Sequence, residues 1–238
     1  LFGNLRLRGG PGSQNRRFSF KCPRWSKIGE ACKAAGVLFC VDAIQAVGAL
    51  RFDVEEIQCD FAMADGHKWL LGPEGLGFFY VREERMNDLS LNEYGWHMIK
   101  HAGDYNQASW EVADTAMRFE CGSPNLLAAH ALHASTSLLL NTGIENVEAA
   151  VLSKADSLCG LLSDAGAEII TPAHSRGRSG IVTFGTNGRS PKEVWQALMS
   201  KGVICMHRGG GIRFSPHFHT PLYRLQQAVS IAAEECLW

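Results

Sequence analysis

The chain has 238 residues, of which 46% are hydrophobic and 20% are charged, and its formal net charge at pH 7 is −1. This composition is typical of a globular protein with a sizeable core and excludes a disordered chain. With a near-neutral charge and no block of Lys or Arg, nucleic acid is not an expected partner. No apolar run approaches the roughly 20 residues that span a membrane, so a membrane partner is not expected either.

The cysteines and the first residues bear on the cellular compartment of the protein. None of the eight cysteines forms a C-x-x-C pair, so neither a zinc knuckle nor a small disulfide scaffold is indicated. Free thiols are typical of a reducing compartment, and we expect a cytoplasmic location. Leu1–Phe20 lacks the apolar stretch of a signal peptide. Because residue 1 is Leu, we expect a processed chain or a fragment.

The first part of the chain alternates short helices and strands. Residues 1–21 show no periodicity and are predicted to be poorly structured. A helix is predicted over Arg24–Ala35, with Gly36 after its end. Leu91–Asn106 has the composition of a long surface loop that could border a pocket. Strands are predicted over Val37–Val41, Asp60–Ala64 and Gly75–Val81, and short helical segments over Val54–Ile57 and Glu83–Leu89.

Two longer helices follow. Ser123 as N-cap and Pro124 in the first turn predict a helix whose apolar stretch, Leu126–Leu140, we expect to be buried. A second, amphipathic helix is predicted over Asn146–Ala165. Its apolar positions recur every three or four residues: Val147, Val151, Ala155, Leu158 and Leu162.

The C-terminal part mixes strands and helices, which predicts a small α+β unit. Its helices are expected to begin at the capping box Ser190–Glu193 and at Thr220–Pro221. Its predicted strands are Ala167–Thr171, Gly180–Phe184, Val203–Met206 and Ile212–Phe214. The last helix is expected to bury Leu222, Leu225, Val229 and Ala232. We therefore divide the chain into a poorly structured segment (1–21), a partial α/β large domain (22–145) and a small α+β domain (146–238), bridged by the Asn146–Ala165 helix.

Polar side chains follow the ends of two predicted strands. Asp42 and Gln45 come after the first, and His67 and Lys68 come after the second. Both predicted strands, Val37–Val41 and Asp60–Ala64, are short apolar runs, which is typical of buried parallel strands. Ligands of open α/β sheets lie beyond the carboxyl ends of such strands. A shielded lysine can form a Schiff base, and a buried aspartate can keep a pyridine nitrogen protonated. This pairing predicts a site for pyridoxal 5′-phosphate.

The remaining polar groups of the cofactor need donors. Gln45 could donate to the phenolic oxygen. His67 and the helix N-terminus at Gly122-Ser123 could supply the donors for the phosphate.

Four motifs in the expected order give the sequence a family resemblance. The run D-A-I-Q-A-x-G starts at Asp42, and D-G-H-K-W-L-L-G-P-E-G-L-G-F-F-Y-V starts at Asp65. Both resemble the class V aminotransferase family of fold-type I pyridoxal phosphate enzymes, which includes cysteine desulfurases, isopenicillin N epimerase-like proteins and kynureninase. The segments F-E-C-G-S-P-N and I-R-F-S-P-H-F-H-T resemble two further motifs of that family. The resemblance extends from Ile28 to the C-terminus and implies a partial fold-type I large domain, with a mainly parallel sheet and flanking helices, plus the small domain.

The resemblance also implies roles for individual residues. Lys68 forms the internal aldimine and moves the α-proton of an amino-acid substrate, and Asp42 partners the pyridine nitrogen. Gln45 contacts the phenolate oxygen and His67 the phosphate. Arg213 binds the substrate α-carboxylate, which suits its bidentate guanidinium. The implied reactions are transamination, racemisation or epimerisation, and elimination.

Gly122 and Ser123 correspond to a segment that reaches the phosphate of the neighbouring subunit. The resemblance therefore implies a homodimer with a shared active site. Ser123 replaces the usual Thr of this segment and keeps its hydroxyl.

The sequence departs from the family at three places. Asp65 stands where many relatives have a phosphate-binding Ser, and its carboxylate is expected to repel a phosphate. The segment Cys205–Arg213 is too short for the loop that carries the nucleophile of cysteine desulfurases and lacks its H-C-A-x-P signature. We expect Cys205 to face the core, which argues against desulfuration by the usual route. Family members also begin well upstream of Leu1, so the resemblance implies an N-terminally truncated chain that lacks the cofactor-stacking and phosphate-loop segments.

Other interpretations stay open at this stage. One is a catalytically inactive fragment that retains a dimerisation or binding surface. Another is a zinc hydrolase using His97 with His101, or His217 with His219, although neither pair has the third ligand of a known motif. Arg213 could also be an ordinary surface charge. We assign no metal site.

Overall fold

A short antiparallel strand pair stands at the start of the chain. The structure, a computed structural model, describes residues 3–5, 18–20, 25–172 and 179–236. Strand β1 (Gly3–Leu5) pairs with β2 (Phe18–Phe20), with Gly3 opposite Phe20. The prediction of a poorly structured segment is therefore wrong for these six residues, and the rest of 1–24 lies outside the described residues.

The N-terminal half contains a three-stranded sheet beside two helices. Helix α1 (Trp25–Ala34) precedes strand β3 (Cys40–Asp42), and helix α2 (Val54–Ile57) precedes β4 (Phe61–Asp65) and β5 (Gly77–Val81). The strand order is β3-β4-β5, with β3 parallel and β5 antiparallel to β4. The sheet predicted as mainly parallel is thus mixed here. The segment 66–76 is too short for the crossover that a parallel neighbour requires, so β5 returns as a hairpin.

A long irregular region separates this sheet from the next helix. After a 3₁₀ helix (Glu83–Asp88), the chain has no strand of its own until a second 3₁₀ helix (Ala116–Phe119), except for an isolated bridge between Ile99 and Val112. The predicted surface loop over Leu91–Asn106 falls within this region and is confirmed as irregular.

Helix α3 (Leu126–Thr142) differs from its prediction in two respects. Its N-cap is Asn125, whose side chain accepts a hydrogen bond from the N–H of Ala128, so Ser123 and Pro124 precede the helix. The helix is also mostly exposed, with Leu127 at 84% and Leu140 at 73% relative exposure. Apolar content predicts burial only where another element covers the face, and little of the described chain covers this one.

Helix α4 (Ile144–Asp164) matches its predicted apolar stripe. All five predicted positions are buried: Val147, Val151, Ala155, Leu158 and Leu162. The first two belong to a cluster with Trp69 and Leu139, and the last three to the C-terminal core.

The C-terminal part forms an antiparallel sheet packed on helices. It contains β6 (Val182–Phe184), α5 (Pro191–Ser200), β7 (Met206–Arg208), β8 (Gly211–Phe214) and α6 (Leu222–Cys236). The strand order is β6-β8-β7. The domain boundary near residue 145 stays a prediction.

Three details of this part correct the sequence expectations. The predicted strand Ala167–Thr171 is reduced to an isolated bridge between Ile169 and Phe184. Ser190 precedes α5, but its side chain makes no capping hydrogen bond. Leu222 at the start of α6 is 51% exposed because the first turn extends beyond the core, whereas Leu225, Val229 and Ala232 are buried as predicted.

No helix in the described ranges combines the length and the apolar composition needed to cross a membrane.

Two helical glycines provide a test of the packing between α1 and α2. A Cβ at Gly29 would collide with the carbonyl oxygen of Ile57, whereas a Cβ at Gly160 on α4 would meet nothing within 4 Å. We expect G29A to lower the free energy of unfolding by about 1–3 kcal/mol through overpacking. G160A should raise it by up to about 1 kcal/mol, since alanine favours the helix. Urea unfolding of both variants measures the difference, and equal effects would contradict the described packing.

Candidate active site

Asp42 ends the central parallel strand pair and keeps one oxygen available. The pair is held at this end by a hydrogen bond from the N–H of Ala43 to the carbonyl of Met63 (2.7 Å). Asp42 is half-buried, and its Oδ1 accepts from the N–H of Ile44 (3.1 Å). Its Oδ2 has no hydrogen-bond donor among the described residues. The first predicted site residue thus offers a carboxylate oxygen to a ligand at a strand end.

Gln45 lies one turn further on, and its orientation is set by Trp69. The indole Nε1–H of Trp69 donates to Oε1 of Gln45 (3.1 Å). Because an indole can only donate, the amide oxygen must face Trp69, and the NH₂ group is left for another acceptor. Gln45 therefore presents a donor, as its predicted contact with a phenolic oxygen requires.

Lys68 lies in a tight turn after β4. The turn is closed by hydrogen bonds from the N–H of Leu71 to the carbonyl of Lys68 (3.0 Å) and from the N–H of Gly72 to the carbonyl of Gly66 (2.8 Å). The Lys68 side chain is half-buried, and within the described ranges it forms no ion pair or hydrogen bond. Its amine is therefore free of the neutralising carboxylates that hold other lysines of the chain, such as Lys100.

His67 faces an acid in this chain. Its Nδ1 lies 3.4 Å from Oδ1 of Asp65, and this buried nitrogen makes no hydrogen bond. The contact is within ionic distance but lacks hydrogen-bonding geometry. The predicted phosphate ligand thus stands beside the carboxylate expected to repel a phosphate.

Arg213 carries a partly buried charge that has no counter-ion in the described part of the chain. It lies in the middle of β8, opposite Thr183 on one side and Met206 on the other. Its Nε is buried without a partner, and burial, with the nearby Arg208, lowers the pKa of the guanidinium. No ion pair to Arg213 occurs among the described residues. A buried guanidinium left unpaired is unfavourable unless a ligand anion compensates it, so the position suits a carboxylate.

Gly122 and Ser123 make no hydrogen bond to the other predicted site residues among the described residues. Both are exposed and lie between the second 3₁₀ helix and α3. Within the described chain, no hydrogen bond joins them to Asp42, Lys68 or Arg213. Their predicted role in the site of a neighbouring subunit stays a prediction.

Sequence reasoning missed the role of Trp69 and of His217 in assembling the site. The ring Nε2 of His217 lies 2.9 Å from the carbonyl oxygen of Trp69, and the N–H of Phe218 donates to Nδ1 (2.7 Å). The two bonds require a neutral ring with its proton on Nε2. Burial lowers the pKa of His217, the Trp69 carbonyl opposes this, and His219 adds to the lowering. The only sequence signal is that the two residues lie close to Lys68 and Arg213.

Among the described residues, no three His, Cys, Asp or Glu side chains come close enough together to hold a metal ion.

The donor set fits the ring end of pyridoxal phosphate better than its phosphate end. A free carboxylate oxygen on Asp42, a fixed NH₂ on Gln45 and an unpaired amine on Lys68 match the pyridine nitrogen, the phenolic oxygen and the aldehyde, respectively. At the phosphate end, Asp65 occupies the neighbourhood of His67.

Comparisons with known proteins agree with the motifs. The family model for aminotransferase class-V matches residues 22–223. A probable cysteine desulfurase of Halalkalibacterium halodurans is 28% identical over 83% of this chain and 46% of its own length. The uncharacterized aminotransferase YcbU of Bacillus subtilis strain 168 is 29% identical over 87% of this chain and 54% of its own length. The chain thus spans about half the length of these relatives.

Solved structures agree on the fold. The apo cysteine desulfurase of Thermococcus onnurineus NA1 superposes with a TM-score of 0.79 at 24% identity, over 88% of this chain and 55% of that protein. The cysteine desulfurase CsdA of Escherichia coli gives 0.74 at 22% identity, over 91% and 55%. The predicted fold-type I α/β class is confirmed.

The neutral state of His217 predicts how stability depends on pH. The folded state holds the pKa of His217 below the ordinary value of about 6.5. As the pH falls, the unfolded state therefore binds a proton at this residue before the folded state does. The free energy of unfolding should therefore fall as the pH drops below about 6.5. H217Q keeps a donor for Trp69 and cannot titrate, so it should flatten this slope. Urea unfolding from about pH 8 to 5.5 measures it, with H133Q, at an exposed position of α3, as the control. Parallel slopes for the wild type and H217Q would refute the assignment.

Proposed function

The chain belongs to the class-V aminotransferase family of pyridoxal phosphate-dependent enzymes, and on that premise we propose that it acts on an amino acid at the α-carbon, with Lys68 as the catalytic amine. The observation that carries this proposal is the half-buried Lys68 amine, which has no ion-pair partner among the described residues and lies beside a strand end that offers Asp42 and Gln45. When bound, pyridoxal phosphate supplies an electron sink for charge that develops at the α-carbon.

In this proposal, Lys68, Asp42 and Gln45 each bind a different group of the cofactor. Lys68 would hold the cofactor at its aldehyde, and its amine, once displaced from there by the substrate amine, would take and return a proton at the α-carbon. Asp42 would hold a proton on the pyridine nitrogen through the oxygen that has no donor among the described residues. The NH₂ group of Gln45 would donate to the phenolic oxygen.

Arg213 is proposed to hold the substrate. Its guanidinium is partly buried, and its Nε has no partner among the described residues, so a substrate α-carboxylate would compensate this charge. A bidentate pair of this kind fixes orientation as well as position. Substrates with a free carboxylate beside the amine are therefore favoured over simple amines.

A second subunit is proposed to complete the phosphate end. His67 lies beside Asp65, and Ser123 is exposed and makes no hydrogen bond to Lys68 among the described residues. An exposed serine at this position can serve a neighbouring copy of the chain. We therefore propose a homodimer in which Gly122 and Ser123 approach the phosphate of the partner.

The reaction is proposed to be transamination, epimerisation or elimination and not desulfuration through Cys205. Cys205 is 7% exposed, and burial raises the pKa of its thiol to about 11, so it is protonated at neutral pH. Strands β7 and β8 are joined by a two-residue turn, Gly209-Gly210, with both φ angles positive. Such a tight hairpin leaves no loop to carry a nucleophile from Cys205 to Arg213. The names of the desulfurase relatives keep that activity as an alternative.

An inactive fragment with a binding surface is the second candidate. The exposed apolar side chains of α3, including Leu126 at 63%, Leu127 at 84% and Leu140 at 73%, favour it. A spectroscopic titration of the protein with the cofactor separates the two candidates. Saturable binding supports the enzyme, and its absence supports the fragment.

Lysine replacement tests the catalytic amine. We expect the protein to develop a visible absorption band with pyridoxal phosphate, and borohydride to fix the cofactor on the peptide that contains Lys68. K68A should lose both signals because the remaining lysines do not lie at the proposed cofactor site. K192A removes an exposed lysine on α5 and serves as the control, with both signals retained. An unchanged band in K68A would refute the assignment of Lys68.

Arginine replacement tests the carboxylate site. The cofactor-loaded protein is titrated with L-alanine and with ethylamine, which lacks the carboxylate, and the change in the absorption spectrum is followed. R213A should weaken the response to L-alanine about 10- to 100-fold, as expected for a lost charged hydrogen-bond pair. It should leave the response to ethylamine unchanged. R213K should recover only part of the loss because lysine lacks the planar fork. An equal loss for both ligands would exclude a carboxylate contact.

A further inference from the structure

Trp69 connects the candidate site to the C-terminal half of the chain. It directly follows Lys68, it is 5% exposed, and its indole donates to Gln45 (3.1 Å). Its carbonyl accepts from His217 (2.9 Å), which lies four residues after Arg213. We propose that Trp69 is a positioning residue that fixes the amide of Gln45 with its NH₂ toward the ligand, and that His217 holds Trp69 in place.

The direction of each hydrogen bond supports this assignment. The amide of an isolated glutamine can present either its oxygen or its NH₂ group to a ligand. The Trp69 Nε1–H is a donor only, so it selects the orientation with the oxygen bound and the NH₂ free. Without that bond, the glutamine would populate both orientations, and the one with its oxygen toward an acceptor would repel it.

The backbone carbonyl of Trp69 is fixed as strictly as its indole. The N–H of Phe218 occupies Nδ1 of His217, so only Nε2–H can donate to the Trp69 carbonyl. A further bond from the N–H of His217 to Oγ1 of Thr220 (3.0 Å) closes the turn that carries the ring. The imidazole therefore has one orientation and one proton position available.

Packing prevents Trp69 from moving away. A Cβ at Gly48 would collide with its carbonyl oxygen, and a Cβ at Gly180 would collide with its ring. The ring of His217 also lies 5.1 Å from that of Trp69. The absent side chains at the two glycines let backbone from both halves close on this residue, so its indole can act as a fixed reference for Gln45.

The inference rests on the proposed function, because the acceptor for the Gln45 NH₂ is taken to be the phenolic oxygen of pyridoxal phosphate. Trp69 would act through Gln45 and without touching the cofactor itself. The two residues should then behave as one unit, which a double-mutant cycle detects.

The cycle uses W69F, Q45A and the double variant, with cofactor affinity measured by absorbance titration. W69F keeps an aromatic ring and loses the donor, and it should weaken affinity about 3- to 10-fold, the range for one hydrogen bond. In the Q45A background, the same change should cost less than about 2-fold. W195F is the matched control, since the Trp195 indole donates to the Cys205 carbonyl and not to Gln45, and its cofactor affinity should equal that of the wild type. Equal losses from W69F in both backgrounds would overturn the proposal.

A second variant leaves Trp69 intact. In Q45E, the carboxylate still accepts from the indole but has no NH₂ group to donate. It should bind the cofactor as weakly as Q45A or more weakly, and tight binding by Q45E would overturn the proposal.

A measurement without cofactor separates this inference from the proposed function. The side-chain amide signals of Gln45 in a ¹⁵N NMR spectrum should shift in W69F and in H217A, and should not move in W195F. If the wild type binds no cofactor, the proposed function fails, while these shifts still decide whether Trp69 holds Gln45. Unchanged Gln45 signals in W69F would overturn the link itself.

Discussion

The bond from the Trp69 indole to Gln45 is the constraint on which the site depends. It joins the end of β3 to the turn after β4, so the side chains that follow two parallel strands are held in a fixed relation. The carbonyl of the same residue receives His217, which lies beyond β8. One buried residue thereby couples the lysine turn to the strand that carries Arg213. Displacing it would disturb both ends of the site.

The sequence predicted the parts of the fold that local patterns determine. The stripe on α4 follows from a repeat of three and four residues, and every predicted position is buried. The short helix Val54–Ile57 is found with the predicted bounds, since Asp53 caps it through its own side chain. The polar residues at the ends of β3 and β4 were predicted to converge because parallel strands end at the same edge. Each of these inferences needs only neighbours in the chain, or a general rule of sheets.

The features that the sequence could not predict depend on contacts between distant segments. Nothing local to Trp69 shows that His217, 148 residues away, will bind its carbonyl. The apolar composition of α3 predicts a buried helix, but burial depends on what lies against it, and Leu127 is 84% exposed. The cap of α3 was assigned to Ser123 although Asn125, two residues later, makes the bond. Both are good capping residues, and the choice between them depends on where the chain enters the helix.

The basic residues of the candidate site differ from other partly buried basic residues of the chain in their ion pairing. Arg82 and Arg85, also partly buried, are each bound to a carboxylate, Glu55 and Asp60, at 3.0 and 2.9 Å. Lys68 and Arg213 are comparably buried and have no such partner among the described residues. An unpaired, partly desolvated cation costs stability, so two basic residues without an acid among the described residues point to positions where a ligand can relieve that cost. In the proposed function, the substrate carboxylate compensates Arg213, and Lys68 serves to hold the cofactor instead of pairing with an acid.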